Sequence, residues 1–241
     1  MNYIRLPLEK IDNCRDLGGY PTIYGKVTSW NKFVRSANLN SASKKDIDFL
    51  KKYGVTTIID LRGEDEISLS FDKVEEIKKE FEYYNVPLAR ETLRDEEIKK
   101  IIDKKLTIGE SYYNLIDNFE GIREIFNIFA DSKGACLFHC HEGKDRTGVI
   151  AMLLLLLVGV SRKDVIANYE VSSANLGYIE RYNPKEKMSV FRLTLPSFMK
   201  TAIDYINRKY SSIEVFLKEY CNIEDEKLSK IKDKFLESQN E

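Results

Sequence analysis

Along the chain, short β-branched or aromatic runs alternate with longer stretches in which apolar residues return every three or four positions. That alternation predicts an α/β fold, a central mostly parallel sheet flanked by helices. Lys32 to Val34 is a short strand. Ser43–Gly54 follows as a helix, with Ile47, Leu50 and Tyr53 at helical spacing and Gly54 as its stop. Val55–Ile59 is a continuous β-branched run ending in Asp60-Leu61-Arg62, and it reads as a buried strand. Phe81 to Val86 is a further strand, closed by Pro87. Helical spacing fills Asp95 to Ala130. Ala135–His139 fits a central strand, and Val149–Val158, apolar on every side, a helix buried all round. The C-terminal third reads mainly as helices, with Pro196 to Arg208 and Ser211 to Tyr220 the clearest, and Glu226 onward is charged enough to fray. Five prolines and twelve glycines make no linker, so residues 1–241 read as a single domain. The extra helices of 95–131 are placed either as a lid or as plain core packing, and 196–241 as C-terminal helices.

Charge and composition act mainly by exclusion. With 38 Lys and Arg against 39 Asp and Glu, the net charge of −1 lacks the basic excess of a general nucleic-acid binder. The longest apolar run, Val149 to Val158, is ten residues, where a bilayer needs roughly 20, so no integral membrane segment is expected. The first dozen residues include Arg5, Glu9, Lys10 and Asp12 and lack an apolar signal core. Four cysteines are too few for a disulfide framework and fit a reducing compartment. A cytoplasmic location is expected, with leaderless secretion left open. The oligomeric state is not fixed.

Candidate chemistry concentrates in Phe138-His139-Cys140-His141-Glu142-Gly143-Lys144-Asp145-Arg146-Thr147-Gly148, between the expected central strand and the apolar helix. A loop there can aim backbone N–H groups at one spot with a helix N-terminus behind it, which binds anions, phosphate above all. Gly143 permits the tight turn. Arg146 can return its guanidinium fork to two phosphate oxygens. Cys140 stands in the same field, and cysteines so placed have pKa values lowered to about 3.5–7.5. A thiolate beside a bound phosphate is an in-line nucleophile, which makes a cysteinyl-phosphate intermediate the natural next step.

His139-Cys140-x5-Arg146-Thr147-Gly148 resembles the phosphate loop of the cysteine-dependent protein tyrosine phosphatase family. Gly143-Lys144-Asp145 within it, and Asn13-Cys14-Arg15-Asp16-Leu17-Gly18-Gly19 near the N-terminus, look like the bacterial and fungal branch. Arg35-Ser36 and Asp60-Leu61-Arg62 match further, so the resemblance runs from about residue 11 to about residue 175. It implies a phosphatase-type sheet and hydrolysis of phosphomonoesters without metal or cofactor, with phosphotyrosine proteins as substrates. Phosphoinositides are the alternative substrates. A catalytically silent phosphate-binding module is the alternative of another class, although a binder needs no cysteine. Three departures from the family stand out. Cys14 replaces the usual aromatic after Asn13. Trp30 is followed by Asn31, so the Trp-Pro-Asp acid loop is missing. The only glutamine is Gln239, which leaves no water-positioning glutamine.

The family pattern assigns roles to individual positions. Cys140 attacks phosphorus, while the loop residues His141, Glu142, Gly143 and Lys144 and the Arg146 guanidinium hold the phosphate. Thr147 hydrogen-bonds Cys140. His141 also reads as a loop-surface residue, and Lys144 either meets a second anionic group or faces solvent. Asp145 is the first choice for the general acid. Asp60, at the carboxyl end of a parallel strand, and Asp95 are the alternatives, and Asp60 reads equally well as the partner of Arg62 or Arg15. Arg15 and Asp16 brace the loop from the N-terminal segment, and His139 bonds backbone and tunes the thiol. Cys136, His139, Cys140 and His141 lack the second Cys/His cluster that a zinc site needs, so no metal is expected. Four extended residues span about 13 Å, too far for a Cys136–Cys140 disulfide. Cys14 reads as a small buried apolar residue, with a thiol that traps oxidised Cys140 as the alternative.

Overall fold

In the computed structural model residues 2–69, 73–88, 95–104 and 106–237 are described. One sheet carries β1 (Arg15–Asp16), β2 (Phe33–Ser36), β3 (Val55–Asp60), β4 (Glu82–Asn85) and β5 (Ala135–His139), in the order β1-β2-β5-β3-β4. β1 runs antiparallel to β2, and the remaining pairs are parallel. β5 is central: Leu137 pairs with Val34 on one side and Ile58 on the other. Its side chains alternate between two cores. Ala135 and Leu137 enter one, with Leu6, Val34, Leu50 and Ile58, while Cys136 and Phe138 enter the larger one.

The helices in chain order are α1 (Lys44–Tyr53), α2 (Glu64–Leu69), α3 (Val74–Glu80), α4 (Asp95–Ile102), α5 (Ile108–Ser111), α6 (Tyr113–Ile116), α7 (Phe119–Asp131), α8 (Arg146–Leu157), α9 (Arg162–Asn175), α10 (Pro196–Tyr210), α11 (Ile213–Val215) and α12 (Asp225–Phe235). α1 is bounded as its sequence dictates. Ser43 and Asp46 close a capping box at its start, and Gly54 ends it at φ 97°. α8 is apolar on all sides because it is wrapped: Val149 to Leu155 are each at most 1% exposed.

Three expectations change. The Lys32–Val34 strand lies slightly later, at Phe33–Ser36. The apolar helix begins three residues before Val149, because the Val149 N–H bonds Asp145 O at 2.9 Å and draws Arg146 into the first turn. The segment after Glu226 is helical as far as Phe235 rather than frayed. Its Leu228, Ile231 and Phe235 are buried on one face, and the Phe235 ring lies 4.8 Å from that of Phe33 on β2. Among the described residues no helix is long and apolar enough to cross a membrane.

Candidate active site

β5 ends at His139 and α8 begins at Arg146, so the intervening loop emerges at the carboxyl end of the central strand, where parallel sheets form their crevices. Four successive loop carbonyls are held from outside. Asn38 donates to His141 O through its backbone N–H at 3.0 Å and its Nδ2 at 2.8 Å. Asn13 Nδ2 donates to Glu142 O at 3.0 Å and Gly143 O at 3.1 Å. Arg35 Nη2 donates to Gly143 O at 2.7 Å and Lys144 O at 3.3 Å. A trans peptide points its N–H opposite its carbonyl. Fixing these carbonyls outward therefore turns the N–H groups of Glu142, Gly143, Lys144 and Asp145 to the inner side, as an anion cradle requires. Gly143 is at φ 67°, and a Cβ there would come within 2.1 Å of Ser36 O. Only glycine fits on both counts.

Cys140 is 3% exposed at the start of this loop. Both Arg35 and Arg146 interact electrostatically with it. Arg146 gives Nη1 and Nη2 to the two oxygens of Glu66, at 2.5 and 2.8 Å, so the fork expected on two phosphate oxygens is held by a carboxylate of the chain itself. Burial opposes the charge on Arg146, but Glu66 and then Cys140 outweigh it and hold the guanidinium firmly protonated. Burial likewise pushes the Glu66 carboxyl up, and Arg146 more than reverses this, holding it below the ordinary range. Thr147 is fully buried, and its Oγ1 has no hydrogen-bond partner among the described residues, so the expected bond to Cys140 is not made.

The charged loop side chains are engaged. Lys144 is 3% exposed and donates to Phe191 O at 2.6 Å, with Glu142 at 3.2 Å and Asp145 at 3.6 Å. Burial alone would favour its neutral form, but Asp145 and Glu142 push its pKa up. Lys144 thus neither extends toward solvent nor stands as a free cation. Glu142 accepts from the Tyr178 hydroxyl as well. The His141 side chain is exposed on the loop surface. Asp145 is 40% exposed and accepts from Tyr112 Oη at 2.5 Å.

The other acid candidates are placed differently. Asp60 is fully buried, with Arg62 donating at 2.6–3.1 Å and the Tyr83 hydroxyl at 2.9 Å. Burial raises its pKa, but His139 and Arg62 outweigh burial and hold it below the carboxylate range. A carboxylate so surrounded is an anchor for Arg62. The Asp95 side chain lies outside what is described. Arg15 reaches the loop indirectly: it donates to Asn13 O at 3.1 Å, to Asn13 Oδ1, to Asn168 O at 2.8 Å and to Ser172 Oγ at 2.8 Å, and so aims Asn13 at the loop. Asp16 is not brought to the loop. It accepts from Gly18 N at 2.6 Å, Asn31 N at 2.9 Å and the Tyr53 hydroxyl at 2.8 Å. His139 places Nδ1 3.2 Å from Cys140 O and 3.8 Å from Asp60 Oδ1.

Cys14 packs in the core of Leu6, Ile11 and Val34, apart from the one that holds Cys140. Burial raises its thiol pKa, as it does for Cys136, and pushes Cys221 up to about 12. Among the described residues no group of three or more His, Cys, Asp or Glu side chains is arranged to hold a metal ion. Glu66, Asn38, Asn13 and Tyr112 are site residues that carry no sequence-derived role above. Asn13 lies inside the motif already quoted, and Glu66 follows Arg62 by four residues. Asn38 and Tyr112 have no local signal.

Residues 6–237 match the profile of a family described as the tyrosine phosphatase family. A curated relative named tyrosine-protein phosphatase, from Nostoc commune, is 36% identical over 143 residues, 58% of this chain and 48% of that one. A second, from Cupriavidus necator, is 29% identical over 171 residues, 68% of this chain and 61% of that one. The chain thus spans about half to three fifths of these relatives. Among solved structures, P. aeruginosa TpbA in complex with pTyr aligns at 16% identity and a TM-score of 0.31, covering 58% of this chain and 67% of that one.

Proposed function

Since the chain belongs to the tyrosine phosphatase family, we propose that it hydrolyses phosphomonoesters through a phosphocysteine at Cys140, with phosphotyrosine in proteins as the substrate. One observation carries this reading: four loop carbonyls are fixed outward around a cysteine that interacts with two guanidiniums. In the first step Cys140 Sγ attacks phosphorus in line while the inward N–H groups and Arg146 stabilise the equatorial oxygens. The phosphorus–oxygen bond breaks, and Asp145 delivers its proton to the leaving tyrosine oxygen. In the second step the Asp145 carboxylate takes a proton from water as the water oxygen attacks phosphorus. The sulfur–phosphorus bond breaks, and the departing thiolate is left beside the Arg35 and Arg146 guanidiniums that interact with Cys140. No step draws on a metal or cofactor.

Phosphotyrosine is favoured over a phosphoinositide because Lys144, the candidate second cation of the loop, already has Phe191 O, Glu142 and Asp145 as partners. Residues 1–241 act as one phosphatase domain in this reading, with 95–131 part of the site through Tyr112 rather than a detached lid. A catalytic thiol fits the reducing cytoplasm. The test is Cys140→Ser. It should lower kcat on p-nitrophenyl phosphate by about four orders of magnitude or more while inorganic phosphate still binds, since the cradle is intact. Turnover surviving in a clean Cys140→Ser preparation would remove the mechanism.

A further inference from the structure

The short helices α5 and α6 meet at Tyr112, and their contribution to the loop is a single phenol. Tyr112 is 2% exposed, and its hydroxyl lies 2.5 Å from Asp145 Oδ1 and 2.5 Å from the hydroxyl of Tyr169 on α9, itself 1% exposed. Gly148, on the first turn of α8, makes room for that second ring: a Cβ there would stand 3.1 Å from Tyr169. Asp145 occupies the N-cap position of α8, yet its side chain makes no cap hydrogen bond. The carboxylate is therefore not consumed by the helix and is held by the phenols.

A phenol has one proton and an ionised carboxylate has none. Tyr112 therefore donates to Asp145 and accepts from Tyr169, which fixes the direction of the chain as Tyr169 to Tyr112 to Asp145. Oδ1 stays an acceptor whether or not Asp145 carries a proton, so the chain survives both states. The proton can then reside only on Oδ2. We propose that Tyr112, backed by Tyr169, is a positioning residue that reserves Oδ1 of Asp145 and confines the transferable proton to Oδ2. This rests on Asp145 being the general acid, as read above.

The other charged and titratable groups around Asp145 are Lys144, 3.6 Å from Oδ2, and the guanidiniums of Arg146 and Arg35, together with the phenols of Tyr112 and Tyr169. Tyr112→Phe removes one hydrogen bond made to a charged group, so relative to wild type the basic limb of the kcat profile should move to higher pH, by about one unit. With the proton no longer confined to one oxygen, kcat on phosphotyrosine should also fall about tenfold, while p-nitrophenyl phosphate, whose leaving group needs little help, changes little.

The experiment measures kcat against pH for wild type, Tyr112→Phe, Tyr169→Phe and Asp145→Asn on both substrates. Each Tyr→Phe change removes a single oxygen and keeps the ring. The expected result is an upward shift in Tyr112→Phe, a smaller one in Tyr169→Phe, and losses confined to phosphotyrosine. An unmoved limb, or equal losses on both substrates, in Tyr112→Phe beside a leaving-group-dependent loss in Asp145→Asn overturns the positioning role and spares the acid. Equal losses on both substrates in Asp145→Asn overturn the acid assignment and this proposal with it.

Discussion

Lys144 lies in the middle of the loop yet directs its charge inward, onto Phe191 O, Glu142 and Asp145. A lysine so placed ties the segment after α9 to the loop and offers nothing to a second phosphate. Lys144→Ala should therefore destabilise the protein by about 1–3 kcal/mol, since it removes a buried side chain together with its charged hydrogen bond to Phe191 O. The ratio of kcat/KM for an inositol polyphosphate headgroup to that for phosphotyrosine should stay constant. A KM that rises several-fold for the headgroup alone would put Lys144 on the substrate. Cys140, Asp145 and Arg146 were readable because they share one strand-loop-helix junction, where spacing alone brings them together. Asn13, Asn38, Glu66 and Tyr112 arrive from four distant segments. Nothing local to each announces its partner. Asp60 stayed ambiguous for a related reason: the end of a parallel strand is right for an acid, and only the four donors around it show it to be committed to Arg62 and Tyr83.

At the scale of elements, α12 is the instructive case. Its charges, Asp225, Glu226, Lys227, Lys230, Lys232 and Lys234 among them, suggest a solvated end. Three apolar residues at helical spacing nevertheless carry it into the core beneath β2. Phe235→Ala should cost about 3–5 kcal/mol, read as a lower urea midpoint at an unchanged slope. A loss under about 1 kcal/mol would mean that α12 does not pack there in solution. α1, β3 and β5 follow closely from their patterns, since a capping box, a β-branched run and a Gly-entered apolar run are local signals. The helical run from Asp95 to Ala130 was legible as helix but not as four pieces. Its break at Tyr112 follows from tertiary contacts with Asp145 and Tyr169 rather than from a proline or glycine.

At the scale of the whole molecule, two guanidiniums, Arg15 and Arg35, are fully buried behind the loop, and no carboxylate among the described residues pairs with either. Burial and the neighbouring Arg35 push the Arg15 pKa down, and burial lowers that of Arg35 to about 10. An oxyanion in the cradle supplies the missing countercharge, so phosphate binding should be linked to stability. Inorganic phosphate at a hundred times its Kd should add about 2.7 kcal/mol, and Arg35→Gln should weaken phosphate binding and reduce that gain. An equal midpoint shift in wild type and Arg35→Gln would contradict the linkage. Acid should act in the opposite sense. Asp60, Glu66 and Asp117 are held below their ordinary range, against burial, by His139 and Arg62, by Arg146, and by Lys209 with two tyrosines respectively. Their contribution is complete above the unfolded pKa values of about 4 and is lost as pH falls through the lower folded values. The urea midpoint should therefore drop steeply below about pH 4, and a flat response there would contradict these assignments. The most direct test of the central claim is acid quenching during turnover of phosphotyrosine, followed by mass spectrometry of the trapped protein. A phosphoryl group on Cys140 is the predicted result; a phosphoryl group on any other residue, or none on Cys140 during active turnover, would contradict it.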